Sequence, residues 1–438
     1  MTASRIRSAG TAQATAKAHI GRLSLHNFRN FQRAECEFPP AGVAIIGPNG
    51  AGKTNLLEAI YYLEIFRSFR QARDRELVRF GQRVFRVEAE IRGEAAGVES
   101  LAAAYDRGGR KKVEVDGEEV ERFSDAIGTL GAVVFSLDDV EIIRGSPGGR
   151  RRFLNILLSL VEPGYVDALQ RYRNFLSQRN EALKGEADPA MIDAWTEGLV
   201  EKGARVMEAR HRWIRGQADA FARYGEEISG EGPGRMRYDP SVDWPEGMTP
   251  GREEAGPGQP DESGADGSAE TSDSVADGDG TGRWRSREER RERAERWAER
   301  FRRALSENAE RERRREVTVV GPHRDDIEFR ARVADDEQRD LRKYGSGGQQ
   351  RTAALALRLV EADTLAGRLG RDPIYLLDDV FAELDRDRSR RVLHLLDEGR
   401  SGQVILAAPK AADIELRGGL ERWTIRDGRI EPDADGTA

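Results

Sequence analysis

The sequence has little cysteine and histidine and no long apolar stretch, and each absence excludes a class of protein. Cys36 is the single cysteine among 438 residues, which excludes a disulfide framework and a cysteine-ligated zinc site. The five histidines include no pair at the spacing of metal ligands. No run of 18 apolar residues occurs, which excludes a membrane-spanning helix, and the polar N-terminal segment lacks the apolar core of a secretion signal. The sequence therefore predicts a soluble, cytoplasmic protein that does not act at a membrane.

Lysine is also scarce, since only eight of the 71 basic residues are lysine and the rest are arginine. The 78 acidic residues outnumber the basic ones and give a net charge of −7. Global charge therefore does not indicate nucleic-acid binding. Where arginine is the default basic residue, a lysine such as Lys53 indicates a position at which arginine does not serve.

The pattern of apolar residues predicts three parts. Residues 18–145 and 317–432 alternate short strands with helices, whereas residues 146–316 are mainly helical. Within the helical part, residues from about 230 to 283 are acidic and rich in glycine, most strongly from Pro250 to Arg283. Such a segment buries too little apolar surface to offset its ordering entropy, so we expect an insertion that is disordered. Individual strands are expected within 20–46 and at 84–92, 101–105, 112–115, 132–136, 317–320, 374–377 and 403–408, and helices at 53–65 and 349–366.

An arginine-rich stretch follows the acidic segment. From Arg283 to Glu316 there are 14 arginines and nine glutamates, and Trp297, Phe301 and Leu305 fall on one helical face. This spacing predicts an amphipathic helix with a basic outer face. The outer face has two interpretations, a DNA contact or a solvated face of arginine–glutamate pairs four residues apart.

The strongest chemical signal is a phosphate-binding loop between the apolar segment 43–46 and the helix that begins at Lys53. Its glycines let the backbone wrap a polyphosphate, and the helix N-terminus supplies positive potential. Lys53 is suited to the outer phosphates, and the Thr54 hydroxyl is suited to Mg²⁺. A glycine-rich turn without function is the alternative, which the order of strand, loop and helix disfavours. The predicted ATP-binding residues are Gly47, Pro48, Asn49, Gly50, Ala51, Gly52, Lys53 and Thr54.

A second signal is the apolar strand at 374–377, which ends in two carboxylates. Asp378 suits a Mg²⁺ ligand, together with Thr54. Asp379 suits a catalytic residue that polarises the attacking water, and Lys53 is the other predicted catalytic residue. A strand that ends in aspartate is common, so this signal gains its weight from the phosphate-binding loop.

A third signal is a Ser-Gly-Gly-Gln sequence at the start of a predicted helix. Its residues are Ser346, Gly347, Gly348 and Gln349. A helix N-terminus of this kind is a ready anion site. The chain has one phosphate-loop lysine, so this second site need not serve the same nucleotide in the same chain. An ordinary capped turn is the alternative.

These motifs together resemble the heads of ABC-type ATPases, and the long insertion between loop and signature resembles the chromosome-maintenance branch. Further stretches resemble the RecF family of bacterial recombination mediators, over roughly residues 18–225 and 317–410. The stretches that carry this resemblance are Leu25 to Asn30, Arg67 to Arg70, Gly145 to Pro147, Arg150 to Leu154, Gln178 to Asn180 and Gly321 to Asp326.

The resemblance implies an α/β fold, in which a phosphate-loop ABC-type ATPase head with a mixed sheet carries a mainly helical second lobe. It implies ATP and Mg²⁺ as cofactors, with Arg29 at the nucleotide. It also implies slow, DNA-stimulated ATP hydrolysis that gates a homodimer, in which the signature of one chain closes on the phosphates of the other. Double-stranded, gapped or junction DNA, RecO and RecR are the implied partners, with help in RecA loading during DNA replication, repair and the SOS response.

The chain also departs from the family pattern, and two other functions stay open. Leu137 stands where the family usually has proline, Asn155 stands where it usually has aspartate, and Ala407-Ala408 offer no side chain to a γ-phosphate. One alternative function is a nucleotide-gated scaffold for partner proteins. The other is the ATPase subunit of a transporter, which the long insertion and the lack of a histidine after the last strand disfavour.

Overall fold

The computed structural model describes most of the chain as two compact units. Of the described residues, those up to 134, those at 365–379 and those from 393 onward belong to the first unit, and those at 135–364 and 380–392 belong to the second. Residues 317–364, expected with the ATPase head, therefore pack with the second unit. The described residues are 18–185, 188–230, 234–248, 287–332, 338–382, 384–397, 402–409, 420–426 and 428–432. The segment 250–283, predicted to be disordered, lies outside them.

The described residues form fifteen strands and eleven α-helices. The strands are β1 His19–Phe28, β2 Phe31–Glu37, β3 Gly42–Ile46, β4 Val84–Arg92, β5 Ser100–Asp106, β6 Lys111–Val115, β7 Glu118–Glu119, β8 Ala132–Ser136, β9 Arg235–Asp239, β10 Asp326–Arg332, β11 Gln338–Asp340, β12 Ile374–Asp378, β13 Val404–Ala408, β14 Glu421–Arg426 and β15 Arg429–Pro432. The helices are α1 Lys53–Ile65, α2 Asp74–Leu77, α3 Val140–Arg144, α4 Pro147–Val161, α5 Tyr165–Lys184, α6 Pro189–Ser229, α7 Arg287–Glu307, α8 Ala309–Arg315, α9 Leu341–Tyr344, α10 Gly347–Leu369 and α11 Arg386–Asp397.

Two six-stranded sheets form most of the first unit. One is antiparallel, in the order β2-β1-β4-β5-β6-β7. The other has the order β15-β14-β3-β13-β12-β8, in which β14, β3, β13 and β12 run parallel. Helix α1 contacts strands of both sheets, and eleven of its 13 residues are buried. A helix covered on several sides has no need of a polar face, which explains why α1 has apolar residues on all sides.

Helices α4 to α7 and the antiparallel sheet β11-β10-β9 make up most of the second unit. The apolar face predicted for the arginine-rich stretch is confirmed, because Trp297 and Phe301 are fully buried where α7 packs on α6. The stretch is not one continuous helix, however. Helix α7 ends at Glu307, and the shorter α8 begins after Asn308.

The predicted start of the insertion, at about residue 230, is wrong. Residues 235–239 form β9, which pairs with β10 nearly 90 residues later in the chain. Beyond it, the Trp244 ring lies 5.5 Å from that of Trp297, and the Tyr238 ring lies 5.9 Å from the same indole. The partners that hold this segment are distant in sequence, so local composition does not reveal them.

The strand predicted at 317–320 is also wrong. The Thr318 N–H donates to Asn180 Oδ1 over 2.8 Å, and the Val319 N–H donates to Glu312 Oε1 over 2.8 Å. Side chains of α5 and α8 thus take the backbone donors that a neighbouring strand would otherwise use. An apolar sequence alone does not distinguish these two ways of satisfying a buried backbone.

The Gly-Pro-His-Arg-Asp-Asp motif after this segment is a polar centre of the second unit. Asp325, which is buried, accepts hydrogen bonds from the Tyr238 hydroxyl and from the Ser241 N–H. Asp326 binds the buried Arg150 guanidinium through two bonds of 2.6 and 2.8 Å. The motif therefore joins α4 and β9 to the start of β10.

His323 of the same motif is held as a neutral ring. Its Nδ1 lies 2.5 Å from the Tyr172 hydroxyl, and its Nε2 lies 3.0 Å from the Thr318 carbonyl oxygen. A neutral imidazole with its proton on Nε2 satisfies both contacts. Burial, assisted by the charges of Arg324 and Arg151, lowers the pKa of His323 to about 4.

This lowered pKa predicts a loss of stability in acid. In the unfolded chain the imidazole binds a proton near pH 6.5, whereas in the folded chain it resists protonation until about pH 4. The free energy of unfolding should therefore fall as the pH drops from 6.5 toward 4, by up to about 3 kcal/mol from this group. Urea unfolding across this range should show a shallower pH dependence for His323→Gln than for wild type. His26→Gln, at an exposed position on β1, is the control, and equal slopes in all three proteins would contradict the assignment.

Candidate nucleotide-binding site

The predicted phosphate-binding loop lies at the carboxyl edge of the mixed sheet. Ile46, the last residue of β3, pairs with Ala408 of β13, and Asp378, the last residue of β12, pairs with Ala407. Because these strands are parallel, their carboxyl ends meet at one edge, where α/β proteins bind ligands. The sheet thus brings together the loop after β3 and the carboxylate at the end of β12.

The loop curves around the ammonium group of Lys53. This group donates to the carbonyl oxygens of Gly47, over 2.8 Å, and Pro48, over 3.3 Å, and the residue is only 5% exposed. Gly50 and Gly52 have φ angles of 83° and 117°, which residues with a side chain rarely adopt. Helix α1 begins immediately afterwards, so its free N–H groups face the same side as the loop.

Thr54 and Asp378, the predicted Mg²⁺ ligands, are in direct contact. The Thr54 hydroxyl donates to Asp378 Oδ1 over 2.8 Å. Burial raises the pKa of Asp378 to about 6; the Thr54 bond opposes this shift, and the negative charge of Asp379 adds to it. A carboxylate that is costly to ionise gains from a nearby cation. Since Mg²⁺ in phosphate sites takes one or two protein oxygens beside water and phosphate oxygens, the pair fits the predicted metal.

Asp379 follows β12 in a left-handed backbone conformation, with φ of 52°. Its N–H donates to the Ala407 carbonyl oxygen over 3.1 Å. Aspartate tolerates this conformation better than most residues. Because of this turn, the backbone at Asp379 no longer follows the extended strand that ends at Asp378. The charge of Arg70, an exposed residue, also acts on Asp378 and favours its ionised form.

Arg29, predicted at the nucleotide from the family motif, is bound to Glu58 of α1. Its Nε and Nη2 atoms each donate to one carboxylate oxygen over 2.8 Å, and Nη1 donates to the Glu76 carbonyl oxygen over 3.2 Å. Glu58 is fully buried and also accepts from the Ser68 hydroxyl over 2.5 Å. The local sequence gives one signal of this partner, because Glu58 is a charged residue within an otherwise apolar stretch of α1. A role of Arg29 at the nucleotide stays a prediction.

Sequence reasoning missed two asparagines that support the loop. Asn30 Nδ2 donates to the Ala51 carbonyl oxygen over 2.9 Å, and Asn55 Nδ2 donates to Asn30 Oδ1 over 2.8 Å. A Cβ atom added to Gly52 would lie 2.6 Å from the Asn30 side chain. The turn between β1 and β2 therefore packs against the end of the loop. With Arg29 the two asparagines line an open cavity of about 620 Å³.

The Ser-Gly-Gly-Gln sequence begins α10 with a reciprocal cap. The Ser346 N–H donates to Gln349 Oε1 over 3.0 Å, and the Gln349 N–H donates to Ser346 Oγ over 3.2 Å. This arrangement satisfies two backbone donors at the helix start. Ser346 and Gly347 are exposed. A Cβ atom on Gly348 would lie 2.6 Å from the Arg388 guanidinium, whereas one on Gly347 would meet no atom within 4 Å.

Several known proteins are similar to this chain over most of its length. A family model described as the RecF/RecN/SMC N terminal domain matches residues 19–418. The DNA replication and repair protein RecF of Halalkalibacterium halodurans is 34% identical, over 86% of this chain and 90% of its own length. This chain belongs to the RecF family. The RecF protein of Salinibacter ruber is 32% identical, over 95% of this chain and 90% of its own length.

Solved RecF structures extend the likeness to the fold. The structure of the recombination mediator protein RecF-ATP in the RecFOR pathway superposes with a TM-score of 0.75 at 27% identity, over 95% of this chain and all of that one. The predicted fold class is thereby confirmed: an α/β ABC-type ATPase head with a mixed sheet and a mainly helical lobe. Among the described helices of this RecF-family chain, none is long and apolar enough to cross a lipid bilayer.

The Arg29–Glu58 pair predicts a large stability cost when its positive partner is removed. Arg29→Ala leaves a carboxylate buried with one hydroxyl donor, and we expect the free energy of unfolding to fall by about 3 kcal/mol. The control is Arg22→Ala on the preceding strand β1, where both partners of the Arg22–Glu35 pair are about 40% exposed and the expected cost is below about 1 kcal/mol. Equal and small costs in urea unfolding would contradict a structural role of Arg29.

Proposed function

We propose that this RecF-family chain is an ATP-dependent DNA-binding protein of DNA replication and repair. Its relatives bear the name DNA replication and repair protein RecF, and the solved structure is named as a recombination mediator of the RecFOR pathway. We infer that the chain acts with RecO and RecR on gapped or junction DNA and helps RecA to load. The observation that carries the ATP part is the 2.8 Å bond from Thr54 to Asp378 at the loop edge of the sheet.

In this proposal the loop binds the triphosphate. The N–H groups of residues 49–54, which lead into α1, face the phosphates, and Lys53 exchanges its loop carbonyl partners for the outer phosphates. Arginine would fit this position poorly, because its guanidinium is larger and needs a fork of acceptors. Thr54 and Asp378 would hold Mg²⁺, which when bound neutralises charge that develops on the phosphate oxygens.

Asp379 is the proposed acceptor for a proton of the attacking water. A single carboxylate with nearby acidic charge is a modest base, and we infer slow hydrolysis that acts as a timer. The chain supplies no side chain from Ala407 or Ala408 to sense the γ-phosphate. We infer that DNA and the partner chain stimulate turnover.

The signature at the start of α10 is the proposed second half of the site, acting in trans. Gly347 supports this proposal, because neither its backbone conformation nor the described part of its own chain requires glycine there. Its φ is not among the positive ones, and an added Cβ would lie in open space. A glycine in such a position allows close approach by another molecule. The phosphates held by a second copy of the chain are the proposed partner, which makes an ATP-dependent homodimer with two composite sites.

Asp379→Asn should retain ATP binding and slow hydrolysis by about 100-fold, because the metal ligand Asp378 remains while the attacking water loses its acceptor. ATP-bound dimers should then accumulate. Nucleotide titration, turnover and sedimentation with ATP measure the three effects. Asp385→Asn is the control, because Asp385 caps α11 by accepting from the Arg388 N–H. If turnover of the Asp379 variant stays near the wild-type value, the division of roles between the two carboxylates is wrong.

Mixing two inactive variants tests the composite site. Ser346→Arg keeps the phosphate-binding loop but blocks closure by bulk, and Lys53→Met keeps the signature but loses the charge aimed at the phosphates. Each variant alone should be inactive. A one-to-one mixture should recover up to about a quarter of wild-type turnover, because half of randomly formed dimers are mixed and each holds one working site of two. If mixed dimers form and stay inactive, the trans role of Ser346 has to be abandoned.

ATP turnover with and without gapped duplex DNA tests the wider proposal. A repair ATPase should show turnover that rises with DNA, and its DNA affinity should depend on ATP. A nucleotide-gated scaffold would bind ATP and partner proteins without any response to DNA.

A further inference from the structure

The arginine-rich stretch divides into two parts that differ in how their charges are satisfied. On α7 most of the exposed arginines, together with the half-buried Arg300, are paired with glutamates within 3.3 Å. Glu–Arg pairs of this kind are typical of a solvated helix face and leave little net positive charge for a partner to bind. The pairs are Arg291–Glu295 at 2.9 Å, Arg300–Glu246 at 3.0 Å, Arg302–Glu197 at 3.2 Å and Arg303–Glu307 at 2.7 Å.

The arginines of α8 are different. Arg311, Arg313, Arg314 and Arg315 are all exposed. Within the described part of the chain, none of the four forms an ion pair or a side-chain hydrogen bond. Two glutamates, Glu310 and Glu316, are exposed in the same segment, so the segment keeps an excess of positive charge.

Three of these arginines share one side of the helix. Arg314 and Arg315 follow Arg311 by three and four residues, which brings the Cβ atom of each to about 5–6 Å from that of Arg311. We call this set the α8 arginine face. Like charges at this spacing repel and destabilise an isolated helix. The fold gains no compensating ion pair in the described chain, and the departure from local charge balance points to a ligand.

The α8 arginine face stands on a rigid support. Glu312, the buried residue of α8, accepts from Arg179 Nη2 over 2.7 Å and from the Val319 N–H over 2.8 Å. Both partners of the Arg179–Glu312 pair are nearly fully buried. Because the one inward residue of α8 is fixed in this way, the arginines on its outer side are held in place before any partner binds.

The chemistry of the face selects the class of partner. Protein interfaces place large apolar or aromatic side chains at their centre. The exposed large apolar residues in the described chain are Phe80, Val84, Phe123, Leu137, Met191 and Tyr344, and none belongs to α8. Guanidinium groups alone, without apolar neighbours or carboxylate partners, match a row of phosphates.

We propose that the α8 arginine face contacts the phosphate backbone of DNA, without reading its sequence. The inference rests on the proposed function, since it names a surface through which a DNA-binding RecF-family protein would hold its substrate. Arg313 lies on the other side of Glu312 and is not part of the contact. Because the contact is electrostatic, it depends on salt through the release of counterions.

The test measures the affinity of the full-length protein for gapped duplex DNA, with ATP present, across a series of salt concentrations. In the triple variant Arg311→Gln, Arg314→Gln, Arg315→Gln, the slope of log affinity against log salt should fall by about 3, or about one per arginine. The matched control is Arg291→Gln, Arg302→Gln, Arg303→Gln on α7, whose arginines are paired, and its slope should change by less than about 1. Replacing the three α8 arginines by lysine should preserve the slope, because the charge is kept.

Two further measurements separate the outcomes. ATP binding and thermal unfolding of the glutamine variant should match wild type, since the replaced arginines are exposed and form no ion pair with any described residue. If wild type binds DNA and the glutamine variant keeps the wild-type salt slope, this inference alone is overturned. Absence of DNA binding by wild type overturns the proposed function with it. Loss of RecO or RecR binding, with DNA affinity intact, would assign the face to a protein partner and likewise overturn the inference.

Discussion

Burial of α1 between two sheets is the constraint on which the nucleotide site depends. The helix is buried from Leu56 to Ile65, so only its first turn reaches solvent, and this turn carries Lys53 and Thr54 at the sheet edge. The two acidic residues inside it cannot stay unpaired in that environment. Glu58 binds Arg29 at the turn after β1, and Glu64 accepts from the Gly131 N–H just before β8. Polar requirements of one buried helix thus tie strands of both sheets to the loop that it follows.

Arginine is abundant throughout the chain, and burial decides what each arginine does. Buried arginines act as structural centres: Arg150 binds Asp326 and the carbonyls that end α3, while Arg210 binds Asn155 Oδ1 and the Pro322 carbonyl oxygen. An amide oxygen at Asn155 is sufficient for that bond, so the departure from the family pattern there leaves the packing intact. Exposed arginines divide again, according to whether a glutamate lies within reach. Residue type alone therefore says little about function in this chain.

The sequence was informative wherever a structural cause is local. The strand, loop and helix around Lys53 follow from glycines, apolar residues and spacing within about 25 positions, and the predicted helix 53–65 coincides with α1. The pairing of Thr54 with Asp378 was also within reach, because parallel strands must end at one edge. Prediction failed where the hydrogen-bonding partner of a segment is distant in sequence and no local motif indicates it. The N–H groups of residues 318 and 319 donate to Asn180 and Glu312, so no local pattern distinguishes this segment from a strand. Strand β9 pairs with β10, which is distant in sequence, so local composition does not distinguish β9 from a disordered insertion.

The net charge of −7 does not show how charge is distributed along the chain. The segment from Pro250 to Arg283 contains nine acidic and two basic residues, and so carries a net charge equal to that of the whole chain. The remaining residues are formally neutral. At physiological ionic strength a ligand responds mainly to charges within about 8 Å, so the net charge of the whole chain does not determine the potential at the α8 arginine face. The charge balance of the whole sequence does not indicate nucleic-acid binding, because it averages over distances at which salt screens the field. What DNA would meet is the local excess, set where glutamates fall out of reach of arginines on a short helix anchored by Glu312.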